Sequence, residues 1–184
     1  MADQELKDIC NKIYKKYKSA IDLIVSHSDM DSTKGQILSG IKRALSEYAE
    51  AGKIIYTNTN GLIFYTEEMD EVIPDLEQPN SSWDNTKMYQ NWFEVWESNI
   101  TIHLELGGKN LSPEQDEIVD RLMELTKPHT KSKPFVWKRL LNYKKQIPDT
   151  ENNVEDHSYY TAKSLLDKLL EEEHQIYNSM KGNH

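Results

Sequence analysis

The residue types best suited to chemistry cluster between Tyr89 and Leu106. Glu94, His103 and Glu105 fall in two β-rich runs, Tyr89-Gln-Asn-Trp-Phe-Glu-Val-Trp96 and Ile100-Thr-Ile-His-Leu-Glu-Leu106, which flank Glu97-Ser-Asn99. A carboxylate beside an imidazole holds one tautomer or raises its pKa. Two carboxylates and an imidazole are also a ligand set for Mg²⁺, Mn²⁺ or Zn²⁺. The competing reading is a cross-strand ion pair beside two tryptophans, worth about 0.5 kcal/mol. That plainer reading is preferred, so no catalytic residue, metal ligand or cofactor is assigned. Trp92, Glu94, Trp96, His103 and Glu105 are instead expected to form a binding surface.

A second constellation is basic. From Lys127 to Pro148 there are seven Lys and Arg and no acid. Lys131, Lys133, Trp137, Lys138, Arg139, Lys144 and Lys145 interleave with Phe135 and Tyr143. Cations beside flat rings suit single-stranded nucleic acid, where a stacked base is worth about 1–3 kcal/mol. On a half-buried strand the same rings are core.

Other motifs carry less. Gly107-Gly108-Lys109 lacks the spacing of a phosphate loop, and no serine sits in a nucleophile-elbow sequence. Cys10 lies on an apolar helical stripe and reads as a buried thiol. His27, Asp29 and Asp31 have cation-binding spacing, but they fall where a helix-to-helix loop needs capping side chains.

Net charge is −9 over 184 residues, with mean hydropathy −0.77. Residues 19–126 hold seven basic and twenty acidic groups. Such a surface repels nucleic acid over most of its area. No apolar run reaches the ~18 residues of a membrane span, and the opening residues do not resemble a signal peptide. One cysteine precludes an internal disulfide framework. These features predict a cytoplasmic protein without membrane contact.

The elements that must position these groups are read from periodicity. Apolar residues from Leu6 to Ile24, and again Ile37, Leu38, Ile41, Ala44, Leu45 and Tyr48, recur at intervals of three and four. They predict helices over 3–25 and 32–50, the second ended by Gly52 in a left-handed cap. Lys53–Thr57 and Leu62–Thr66 flank Asn60-Gly61, a hairpin signal. A short helix follows Thr66, limited by Pro74, then a surface loop over 74–86. In the second hairpin a Ser98-Asn99 turn would pair Val95 with Ile102, Glu94 with His103, Phe93 with Leu104 and Trp92 with Glu105. Ser112-Pro113 announces a helix. Residues 135–147 fit a strand and residues 154–180 a helix. The expected fold is α+β: an N-terminal helical hairpin (residues 1–52), then an antiparallel sheet of four to five strands built from two hairpins, with C-terminal helices (residues 53–184).

Leu62-Ile-Phe-Tyr-Thr66, Met69, Ile73-Pro74, Ser82-Trp83, Trp92-Phe93-Glu94 and Ile102-His-Leu-Glu-Leu-Gly107 together resemble the C-terminal, non-catalytic part of PD-(D/E)XK nuclease-superfamily proteins of bacteria and mobile elements. The resemblance spans roughly residues 35–180. That superfamily's catalytic strand carries an acid two residues before a lysine. Here Glu94 and Glu105 have no such lysine, and Glu5-Leu6-Lys7 lies in a predicted helix. The resemblance therefore implies a module that lies beside a nuclease core, and it transfers no catalytic residue.

Three functional expectations follow. The first is a small, acidic, non-enzymatic interaction protein of phage or mobile-element type. It would bind a protein or ribonucleoprotein and inhibit a nucleic-acid-processing enzyme, as anti-CRISPR proteins do. The second is a nucleic-acid-binding or nucleolytic relative using the basic strip 127–145. The third is a homodimer joined through the Trp92 and Trp96 face.

Overall fold

The structure is a computed structural model that describes residues 16–18, 33–57, 61–77, 83, 85–108, 111–128, 135–147 and 153–182. The first predicted helix lies outside these residues except for the helical turn 16–18, as do Cys10, His27, Asp29, Asp31 and Lys109.

Chain order is α1 (Thr33–Glu50), β1 (Ile55–Tyr56), β2 (Ile63–Tyr65), α2 (Glu67–Val72), β3 (Tyr89–Trp96), β4 (Asn99–Gly107), α3 (Pro113–Thr126), β5 (Trp137–Gln146) and α4 (Val154–Lys181). The five strands form one antiparallel sheet in the order β1-β2-β3-β4-β5. This is the expected α+β architecture. No described helix is long and apolar enough to cross a membrane.

Each element forms where its pattern places it. Ile37, Ile41, Ala44, Leu45 and Tyr48 bury one stripe of α1. Gly52, at φ +67°, then ends the helix, with Gly52 N–H donating to Ala49 and Lys53 N–H to Tyr48. Ser112 and Gln115 close a reciprocal capping box at the start of α3, which satisfies two backbone donors that would otherwise be orphaned.

The long helix α4 organises one face of the sheet. It packs against β4, β5 and all three other described helices. It runs parallel to α1, with Arg43 bonded to Asp156 at 2.8 Å and Tyr48 to Asp167 further along both helices. The two approach closely because Gly40 has no side chain: a Cβ there would lie 2.4 Å from the Glu155 carbonyl oxygen. The core sits between this helical layer and the sheet, filled by Phe64, Tyr89, Phe93, Ile100, Ile102, Leu104 and Leu106 from the strands.

Two strand details depart from expectation. The β3–β4 turn is Glu97-Ser98, one residue earlier than Ser98-Asn99, with Glu97 at φ +52°. Val95 therefore pairs with Ile100, Phe93 with Ile102, Glu94 with Thr101 and Trp92 with His103. Moving the turn by one residue shifts every pair by two, and because side chains alternate with period two, each keeps its expected face. The second departure is a bulge in β5. Leu104 pairs with Leu141 but Glu105 with Arg139, leaving Leu140 as the extra residue. One inserted residue reverses the alternation. Trp137 and Arg139 thus face away from the helices, while Leu141 and Tyr143 face them.

Candidate docking face

The sheet face opposite the described helices gathers side chains from four strands, β2 to β5. Strand parity and register place Trp92, Glu94 and Trp96 of β3 beside Thr101, His103 and Glu105 of β4. Trp137, Arg139, Asn142 and Lys144 of β5 follow, with Ile63 of β2 opposite Trp92. The five residues expected to form a binding surface share one face, but His103 and Glu105 are buried within it, at 0% and 5% exposure, so neither presents a surface.

Their geometry is specific. His103 is fully buried, its ring centroid 4.6 Å from that of Trp92, and its Nε2 lies 3.1 Å from Glu94 Oε2. Burial and the nearby Arg139 cation push the imidazole down to about 4, against the opposing pull of Glu94. His103 is therefore neutral near pH 7, the opposite of a carboxylate-raised histidine. Arg139 donates from Nε to Glu105 Oε1 at 2.9 Å. Its guanidinium carbon lies 5.8 Å from the Trp92 ring centroid and 5.9 Å from that of Trp137, within cation–π range. Glu105, only 7% exposed in its side chain, orients this guanidinium between the two indoles.

Exposure rises toward two corners of the face. Trp96 is 69% exposed and Trp137 54%. Between them Gln90 Oε1, Trp92 Nε1 and His103 Nδ1 are buried without a hydrogen-bond partner among the described residues. Buried polar atoms left unpaired cost about 1–3 kcal/mol each, and a cluster of them is uncommon.

The basic strip does not form one surface. Arg139 and Lys144 lie on the tryptophan face, opposite Glu105 and Thr101. Lys138 is 5% exposed on the helical side, with its Nζ 5.3 Å from the Phe135 ring. Lys145 also points to that side and bonds Ser164 Oγ at 2.5 Å. Lys131 and Lys133 lie outside the described residues. Among the described residues no group of three His, Cys, Asp or Glu could hold a metal ion.

Sequence reasoning overlooked a buried polar cluster on the helical side. Glu173 of α4 is 1% exposed and accepts from Asn91 Nδ2 at 2.7 Å and from Thr66 Oγ1 at 3.0 Å. Nearby, Tyr89 O–H donates to Asp70 at 2.9 Å, and Lys87 bridges Asp70 and Asp75. Glu173 borders a 620 Å³ cleft also lined by Lys53, Thr66, Glu67, Glu68, Asp167 and His174. A signal for it was present: Glu173 stands between Leu169 and Ile176 on the buried stripe of α4, a position where helical spacing calls for an apolar residue.

Compared with protein families, with characterised proteins and with solved structures, the chain matches none.

Proposed function

We propose that the chain is a non-catalytic docking module whose tryptophan face seats a protein partner, and that this partner is a nucleic-acid-processing enzyme which it restrains. The observation carrying this reading is the pair of exposed indoles, Trp96 and Trp137, on the face where Glu105 holds Arg139 between Trp92 and Trp137. Trp and Arg are the residue types concentrated in the energetic centres of protein interfaces. A preset guanidinium also loses little rotamer freedom on binding.

Local charge favours a protein over a nucleic acid. On this face Glu94 and Glu105 offset Arg139 and Lys144, so the neutralising cations that phosphate contacts require are not in excess. Strand alternation sends Lys138 and Lys145 to the other side. The net charge of −9 supports a target with a basic groove, since complementary fields speed encounter and reject wrong partners. The resemblance to a module beside a nuclease core supports the same class of target, and an anti-CRISPR or other anti-defence inhibitor is its most specific form.

Affinity capture from nuclease-treated bacterial lysate, with wild type and the Trp96→Ala/Trp137→Ala variant side by side, tests this. Wild type is expected to retain an enzyme acting on nucleic acid, to slow its cleavage, and to lose it at least about tenfold in the variant. Capture that vanishes on nuclease treatment, or that is equal for both chains, overturns the reading.

A further inference from the structure

The sheet ends at β5. Among the described residues no strand pairs with its outer edge. Two backbone bonds set which groups point there: Gly108 N–H donates to the Val136 carbonyl, and Ile147 N–H to the Ser98 carbonyl. Antiparallel pairs alternate between bonded and unbonded positions. With the Leu140 bulge counted, Trp137, Arg139, Asn142, Lys144 and Gln146 therefore direct their peptide N–H and C=O groups away from β4.

That edge borders a 590 Å³ groove. One wall is Thr126, the last residue of α3, with Lys127 and Pro128 after it, and the other is Phe135 with β5 residues 137–143. Lys127, Lys138 and Arg139 line it, and among the described residues no carboxylate does. Lys144 extends the basic character along the strand, exposed on the tryptophan face.

We propose that the β5 edge accepts an acidic, extended segment of the partner protein as a sixth strand. A row of alternating donors and acceptors matches another peptide backbone, whereas phosphate offers acceptors only. The segment's side chains would alternate between the groove and the tryptophan face, reaching Lys144 there and continuing the surface of Trp137 and Arg139. Charge selects the occupant. Arg139 is already paired with Glu105, but two copies of β5 laid side by side would still oppose Lys138, Lys144 and Lys145 with like charges, a disfavoured cross-strand arrangement. Lysines and a bulge are devices that keep edge strands from pairing with their own kind. Here they repel a second copy and leave the edge open to an acidic strand.

The inference rests on the docking reading but is tested apart from it, with synthetic probes. The probes are a labelled peptide of about eight residues, the usual length of a strand, alternating Glu with Val; its Lys-for-Glu counterpart; and a single-stranded DNA oligonucleotide. Fluorescence anisotropy is expected to show salt-sensitive binding of the acidic peptide only. Lys144→Glu should weaken it about twofold to fivefold, the size of one surface ion pair. Lys144→Pro removes an outward N–H while sparing the β4 ladder, and should weaken it about tenfold. Circular dichroism confirms that each variant is folded, and the Glu substitution carries the test if the Pro variant is not. Equal binding of both peptides, binding of the oligonucleotide instead, no peptide binding, or dimerisation through β5 by light scattering overturns the inference. If Trp96 and Trp137 still govern capture while the acidic peptide fails to bind, the edge proposal falls and the docking reading stands.

Discussion

Asn91 donates its side-chain amide to Glu173 Oε1 at 2.7 Å, joining the third strand to the long helix through the middle of the core. Thr66, the cap of the short helix α2, donates to the other oxygen at 3.0 Å. Three elements separate in sequence thus meet at one carboxyl group. Burial pushes that carboxyl up to about 7, against the opposing effect of these two hydrogen bonds.

The stability of the protein should therefore carry two opposed pH dependences. Folded Glu173 titrates near 7, and its ordinary value is 4.5. Between these the folded chain holds more protons than the unfolded one, so stability falls as pH rises through that window, by at most about 3 kcal/mol. His103 behaves in the reverse sense. Its pKa drops from 6.5 to about 4, so stability is lost as pH falls from 6.5 toward 4. From about pH 4.5 to 6.5 the two slopes offset. Urea midpoints for wild type should be nearly flat there, while Glu173→Gln should gain stability steadily over the same range. Parallel profiles for the two chains would contradict the assignment.

Arg139→Met should destabilise more than its surface position suggests. The Glu105 carboxylate is 7% exposed and would be left without its cation, a loss expected at about 2–4 kcal/mol. Adding Glu105→Gln should recover most of it, because no buried charge then remains. A double-mutant cycle by chemical denaturation measures the coupling. Additive losses would mean that the pair is not an energetic unit.

Gly40→Ala places a methyl group against the backbone of the neighbouring helix, 2.4 Å from the Glu155 oxygen and 2.8 Å from the Tyr159 nitrogen. No side-chain rotation relieves this, so α1 and α4 must separate. A loss of about 1–3 kcal/mol is expected in thermal or urea unfolding. Unchanged stability would show that the helices are not held at this spacing.

Glu97→Gly should stabilise the protein by about 1 kcal/mol. Glu97 adopts φ +52° in the β3–β4 turn, a conformation that strains a residue bearing Cβ and that glycine adopts freely. A higher urea midpoint with an unchanged slope is the expected result. No change, or a loss, would place the turn elsewhere, as the Ser98-Asn99 alternative would.

Trp96→Ala should leave unfolding within about 0.5 kcal/mol of wild type, as for most exposed positions. Partner binding should drop by at least about 2 kcal/mol. A variant that is destabilised by several kcal/mol would instead make Trp96 part of the packed structure.

Much of this molecule was legible along the chain. The three-and-four spacing of Ile37, Ile41, Ala44, Leu45 and Tyr48 located α1, Gly52 its end, and Ser112-Pro113 the start of α3. Those features act within one or two helical turns, so neighbouring residues suffice to specify them. Strand alternation likewise put Trp92, Glu94, Trp96, His103 and Glu105 on one face, and that held although the turn moved by a residue, because the shift preserved parity. Tertiary structure alone decided the rest. The pairing of Trp92 with His103, the Leu140 bulge that turns Trp137 and Arg139 toward the tryptophan face, the split of the basic strip, and the burial of Glu173 against Asn91 and Thr66 all depend on contacts between distant segments. Local propensity is silent about which segments meet, and the free energy of pairing, burial and desolvation arises only when they do.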